Sequence, residues 1–518
     1  INDSLVYFFR CNTMSDDDTQ NGDDGVTENE APATSSGGGF MGQIDDYFGI
    51  SKAGSSVEGE IRAGLTTFLT MAYILIVNPK MMSGADITFM DFETGISFND
   101  ALVATAVASF VACMIMGLWA NLPFALAPGM GLNAYFLYGV CLGMGVPWDI
   151  ALAAVFVEGL IFLGLSFTGA RSAMINAIPK DLKIATMAGI GLFLTIIGMQ
   201  NAGWIVDNPA TLIDFASAGT WTHESGEFWA LIGLIVMGAL MARDQKGAVM
   251  IGILVVSVAG WAIVPDSELP DEFVSTPESP MDTVGAVFSA FGNAGDEITN
   301  QDGVVTYGGW GSFMMVMIAF FFVDIFDTAG TLYGVGRMAG KVDENDELES
   351  ANEAFVADAA GTTIGAVMGT STVTTYIESA SGIEEGGKTG FTAVVVGCLF
   401  LVGLFFSNFF IAIPAYATAP ALMVIGAMMM RGVGDIKWDD IEIAIPAFLT
   451  IALMPFAYSI ADGIAWGVIS YVAIKFGVGK HEEVINNQIL MAIFVLMTMF
   501  YLGPGDQTTF EYILDFLN

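Results

Sequence analysis

The chain predicts an all-α polytopic membrane protein with fourteen transmembrane segments arranged as a 7+7 inverted repeat. Three observations carry that prediction. Of its 518 residues, 54% are hydrophobic and only 14% charged, whereas soluble domains average about a quarter charged residues. Apolar runs close to the roughly 20 residues that cross a bilayer as helix recur along almost the whole chain. The basic residues, finally, fall on alternate sides of those runs.

In order, the apolar segments lie at 61–79, 101–120, 122–142, 148–168, 184–200, 227–242 and 247–264. After a long polar stretch the second set follows at 310–333, 352–368, 370–386, 389–413, 416–430, 441–457 and 459–476. An odd number in each half inverts the second half relative to the first, an arrangement common in secondary transporters. One more apolar run, 486–503, breaks the parity. It either spans, placing the C-terminus outside, or lies along the interface. The 61 glycines suit helices that approach closely on small residues.

With the N-terminus in the cytoplasm, the inner loops hold Arg171, Lys180 and Lys183, then Arg243 and Lys246. In the second half they hold Arg337 and Lys341, Lys388, Arg431 and Lys437, and Lys475 and Lys480. The predicted outer loops 201–226 and 265–309 contain no Lys or Arg, and only Lys80, close to a span end, lies on the wrong side. This is the bias of the positive-inside rule.

Two segments are poor helices. Residues 121–136, NLPFALAPGMGLNAYF, crowd Pro123, Pro128, Gly129 and Gly131; residues 369–382, GTSTVTTYIESASG, are rich in Ser, Thr and β-branched side chains. They occupy the third and the tenth segments, and strand-like breaks are expected in both. Irregular backbone is tolerated at membrane depth only where protein or a water-filled cavity satisfies it. A corresponding pair of interrupted segments is the sequence pointer to a transporter's substrate site. Half-helices starting there aim their N–H groups and positive dipole ends at the site.

The acids inside apolar runs point the same way. Asp324 and Asp327 lie in the eighth segment and Glu378 in the tenth; Glu158, Asp358 and Asp462 are further intramembrane acids whose roles the sequence leaves open. A charge near a bilayer centre is costly and ordinarily faces a pathway. Asp324 and Asp327 are a helical turn apart. Asp324 suits either proton coupling or a helix–helix hydrogen bond. Phe124, Tyr135 and Tyr376 are aromatics that could stack on a flat ligand.

Composition excludes other classes. A net charge of −39, from 55 acidic and 16 basic residues, leaves no basic patch for nucleic acid. It resembles the surface of a protein from an extreme halophile, since at molar salt the Debye length is about 3 Å and like charges hardly repel. Cys11, Cys113, Cys141 and Cys398 are scattered and read as small buried hydrophobes. His223 and His481 fall in predicted loops, so an intramembrane proton carrier must be a carboxylate. No HExxH, GxSxG or metal-ligand cluster appears; the chain is expected to be no enzyme and to use no metal or cofactor. Met14 reads as a natural start, residues 1–13 lack the apolar core of a signal peptide, and residues 14–40 are acidic and Gly/Ser-rich, as in disordered tails.

Four blocks carry a family resemblance: AGLTTFLTMAYILIVNP (63–79), LAPGMGLNAYF (126–136), FVDIFDTAGTLYGVG (322–336) and GTSTVTTYIESASGIEEGGKTGFTAVVVG (369–397). With their spacing, which covers nearly all of residues 58–480, the chain resembles the nucleobase:cation symporter-2 family, in its adenine/guanine/hypoxanthine permease branch. The resemblance implies a core domain of segments 1–4 and 8–11 (58–168 and 310–413) and a gate domain of segments 5–7 and 12–14 (169–264 and 414–480). The tail 1–57, an extracellular acidic loop 265–309 and a C-terminal segment 481–518 lie outside these domains.

It also implies import of a purine nucleobase across the cell membrane by proton symport, with elevator-like movement of core against gate. Sodium coupling, or a uracil or xanthine substrate, is the alternative. A homodimer is implied as well. Aligning DTAGTL places Asp327 at the family's eighth-segment acid, and Tyr376 and Glu378 match its aromatic-x-Glu on the tenth. Thr331 stands where the uracil permeases carry a His. The candidate ligands are thus Glu378, Asp327, Asn133, Tyr376, Gly131 and Thr375, with Asp324 and Asp327 the candidates for proton coupling. A carboxylate can accept adjacent purine N–H groups as a bidentate pair.

Overall fold

Each of the fifteen apolar runs folds as helix, or as helix joined to a short strand. The computed structural model describes residues 39–502, except 89–91, 93, 266, 271, 277–281, 300–304 and 344–347. The expectations for residues 1–38, including Met14, lie outside the described residues.

Among the described residues eight helices are long and apolar enough to cross a membrane. In the first half these are α1 (Val57–Ser83), α2 (Phe98–Ala120), α4 (Trp148–Thr168) and α6 (Lys180–Asn201). Between α2 and α4 come strand β1 (Leu126–Pro128) and helix α3 (Met130–Gly143), and between α4 and α6 the short helix α5 (Ala170–Ala177). Helices α7 (Gly226–Met241) and α8 (Ala248–Ile263) complete the first set; α9 (Ala286–Asn293) lies beyond. The second half holds α10 (Trp310–Met338), α11 (Ala351–Met368), strand β6 (Val373–Thr375), α12 (Ser379–Glu384), α13 (Gly390–Ile411), α14 (Ala415–Asp435), α15 (Ile441–Ala457), α16 (Ile460–Gly477) and α17 (Gln488–Tyr501).

Local chemistry sets many of the boundaries. Ser56 caps α1 by accepting from Gly59 N at 3.0 Å, and Ser97, Ser225 and Ser459 cap α2, α7 and α16 in the same way. Such caps satisfy amide donors that the first turn leaves without partners. Glu60, fully buried, accepts from Lys388 N, Thr389 N and Thr392 Oγ1 at 3.0, 3.2 and 2.6 Å. It thereby places an anion at the positive end of α13 and fastens α13 to α1.

The helices pack as two groups. In one, α1 lies against α2 and α13, α2 against α11 and α13, and α4 against α10 and α11. In the other, α6 lies against α14 and α15, α15 against α16, and α7 against α8 and α14. They meet where α6 and α16 touch α10 and where α3 touches α6. Glycine allows close helix crossings. A Cβ on Gly426 of α14 would stand 2.3 Å from Gly191 O of α6, which accounts for part of the glycine content.

The structure corrects three sequence expectations. The stretch 201–226, expected as an outer loop, is not simply loop, because β2 (Ile205–Asn208) and β3 (Leu212–Phe215) form a hairpin. Within 265–309, α9 packs on α4, and β4 (Glu297–Thr299) pairs with β5 (Val305–Gly308). Val287, Ala290 and Tyr307 there are fully buried, a signal masked in sequence by the surrounding acids. Lys80 is enclosed at 6% exposure and lies 3.7 Å from Asp86, so its apparent violation of the charge rule is a buried ion pair.

Candidate functional site

Proline and glycine stop helix formation before residue 130, and three β-branched residues in succession favour extended backbone at 373–375. The result is an antiparallel pair, β1 with β6, in the register Leu126↔Thr375, Ala127↔Thr374, Pro128↔Val373. Gly129 N→Thr372 O and Tyr376 N→Ala125 O, both 2.9 Å, extend it at either end. The two strand-like breaks thus satisfy each other's polar backbone in the interior. Helices α3 and α12 start directly beyond them, at Met130 and Ser379. Gly129 is required by close approach: a Cβ there would lie 2.6 Å from Thr374 Cγ2 and 3.6 Å from Asp327 Oδ2.

A cavity of about 400 Å³ opens beside this pair, within the range of small-molecule sites. Five of the candidate residues line it: Glu378, Asp327, Tyr376, Thr375 and Gly131. Tyr376 Oη donates to Pro128 O at 2.6 Å, which fixes its ring across the strand pair. Glu378, half-buried, accepts from Tyr73 Oη at 2.5 Å. Asp327 is 6% exposed. Thr331 also lines the cavity, and its hydroxyl is turned onto Asp327 O at 3.0 Å. The facing wall is apolar, built by Ile184 and Met187 of α6 and by Ile425, Met428 and Met429 of α14. Lys180, Lys183, Arg337 and Arg431 stand around the cavity as well.

Two candidates lie elsewhere. Asn133 is fully buried behind the strand pair. Its amide donates to Pro128 O at 3.3 Å and accepts from Ser371 Oγ, so it ties the two interrupted segments together and does not line the cavity. Asp324 is fully buried too, and faces Arg171. Arg171 itself is corrected from an inner-loop residue to a completely enclosed one. Gly169 (φ 71°) ends α4, and the chain turns straight into α5. The guanidinium thereby reaches Asp324 Oδ2 at 2.9 Å, Asp358 Oδ2 at 2.5 Å and Phe355 O at 3.2 Å, over the ring of Phe162.

Phe124 and Tyr135 are packed in the core away from the cavity. Asp462 accepts from Tyr501 Oη at 2.5 Å, which anchors α17 on α16. Sequence reasoning passed over Tyr73, although it lies inside the block 63–79, because a Tyr in an apolar run reads as packing. Arg171 gave no signal, since the charge rule already accounted for it.

Helices that span a membrane in two packed groups, with paired interrupted segments at a cavity between them, define a multi-pass membrane permease. Residues 58–466 match the xanthine/uracil permease model, described as "Permease family", and the chain belongs to that family. The guanine/hypoxanthine permease PbuG of Bacillus subtilis is 42% identical over 88% of this chain and 99% of that protein. The adenine permease AdeP of Escherichia coli is 37% identical over 89% and 97%. Among solved structures, the transmembrane domain of the cyanobacterium bicarbonate transporter BicA has a similar fold. Its TM-score is 0.54, at 13% identity, covering 78% of this chain and 97% of that one. The protein is a transporter and not an enzyme.

Proposed function

We propose that this permease imports purine nucleobases, namely adenine, guanine and hypoxanthine, across the cell membrane by proton symport. The observation that carries the reading is the convergence of Glu378, Asp327 and Tyr376 on one cavity with an opposed apolar wall. A planar base fits between that wall and the strand pair. Its ring N–H groups meet carboxylates, and its faces meet Tyr376 and the methionines. Relatives named for guanine, hypoxanthine and adenine support the purine class.

The two packing groups correspond to the core (58–168 and 310–413) and the gate (169–264 and 414–480) in fourteen spans of a 7+7 inverted repeat. Alternating access is an elevator-like movement of one group against the other. The N-terminus is cytoplasmic, and the basic residues around the cavity make this an inward-open state. Two copies associate through their gates, and the acidic surface reflects a salty environment.

Proton binding to an intramembrane carboxylate removes a charge whose passage is costly. The loaded core then crosses more readily than the empty, ionised one. Uptake of labelled hypoxanthine, adenine, guanine and uracil into proteoliposomes tests this, with proton and sodium gradients imposed separately. Purine accumulation driven by the proton gradient alone is expected; dependence on sodium would overturn the coupling, and uptake of uracil but not purines the substrate.

A further inference from the structure

The carboxyls around Arg171 outnumber their counter-charge. Arg171, Glu158, Asp324 and Asp358 are all at 0% exposure. Three acids therefore surround one guanidinium where water does not reach. Arg171 is committed to Asp324 and Asp358, and Thr328 Oγ1 bridges the same two aspartates at 3.0 and 3.3 Å. Glu158 lies on α4, which packs on both α10 and α11. Its Oε2 meets Thr372 Oγ1 at 3.4 Å, while no donor among the described residues reaches Oε1.

Three buried carboxylates around one guanidinium inside low-dielectric protein repel one another unless a proton neutralises one of them. The charged groups facing Glu158 are Asp324 of α10, Asp358 of α11 and Arg171 of α5. Helix α9, also packed on α4, carries no titratable side chain, and α3 carries only the neutral Tyr135, Tyr138 and Cys141. Asp327 is one turn along α10.

We propose that Glu158, the buried acid of this cluster that Arg171 does not pair with, holds a bound proton, and that this cluster, outside the substrate cavity, is the carrier's proton-coupling site. The coupling role rests on the proton-driven reading above. One residue joins cluster to cavity: Thr372 reaches Glu158 through its hydroxyl, and its carbonyl accepts the N–H of Gly129, which lines the cavity. Arg171 provides a second link, because α5 also carries Asn176 at the cavity. Substrate that shifts the strand pair or α5 changes the distance from Arg171 to its acids. The proton on Glu158 is then held or released: the carboxyl O–H bond breaks heterolytically, its electron pair stays on the carboxylate oxygen, and H⁺ passes to water, with no change of oxidation state.

Glu158→Gln keeps the shape of the side chain and removes the titrating group. In proteoliposomes the variant should bind base and exchange it across the membrane. Accumulation under an imposed proton gradient should fall from the wild-type level to simple equilibration. Proton-driven accumulation at the wild-type level in E158Q would overturn the proposal. Infrared spectroscopy of the wild-type protein gives a second readout, independent of transport and of how E158Q folds. A protonated-carboxyl band at neutral pH should shift when glutamate is labelled with carbon-13 at its carboxyl, and absence of that band would equally overturn the proposal. Failure of the wild type to take up any base would instead count against the purine assignment, while the infrared test of the proton site would still stand.

Discussion

The cavity acids and the acids around Arg171 have the same chemistry, and one of each, Asp327 and Asp324, are near neighbours along the chain, yet their surroundings oppose each other. Glu378 and Asp327 face open space; their described partners are neutral, and an apolar wall stands opposite. Asp324 and Asp358 are sealed in and share one cation. Asp324 and Asp327 are three residues apart on α10, and that step turns one side chain to the cavity and the other to α4 and α5. What separates a ligand from a structural or proton-holding acid is therefore access, which a single helical turn decides.

Breaking the sealed region should have the largest effect. Arg171→Ala leaves buried carboxyls without a counter-charge, a loss of about 3–5 kcal/mol for such pairs. A marked fall in Tm of the purified protein is expected, and an unchanged Tm would show that the pair carries no stability. Next comes the open region. Glu378→Gln forfeits charge-assisted bonds to the base, at about 1.5–3 kcal/mol each, so purine affinity should fall at least about a hundredfold with Tm nearly unchanged. The two variants thus separate the regions, one reading out in stability and the other in binding.

Tyr73→Phe sharpens the contrast. It frees Glu378 from its 2.5 Å hydrogen bond without touching the carboxylate. A loss of about 1 kcal/mol, or roughly fivefold in Kd, should appear in a titration of the purified protein. Smallest of all, Tyr501→Phe removes the hydroxyl that holds Asp462. Stability should drop by about 1 kcal/mol or less and uptake should persist; loss of uptake would give α17 a direct part in transport.

Much of this arrangement was legible in the sequence. Pro123, Pro128 and Gly129, together with the β-branched run Val373–Thr375, announced strands by local propensity alone, and those strands pair as corresponding breaks should. Glu378 and Asp327 were found because acids stand out in apolar runs. Orientation was not legible: Asn133 and Asp324 share segments with true lining residues but face away from the cavity, and only packing decides that. Arg171 was misplaced because the end of α4 at Gly169 and the immediate restart at α5 fold an apparent loop residue into the interior. The helix and hairpin within 265–309 were missed because their buried apolar residues are few among many acids.

The most direct test of the central claim is equilibrium binding of labelled hypoxanthine to purified wild-type, E378Q and E158Q proteins. The account predicts saturable binding in the wild type and in E158Q, and its loss in E378Q. Near-wild-type affinity in E378Q would contradict the assignment of the cavity as the purine site.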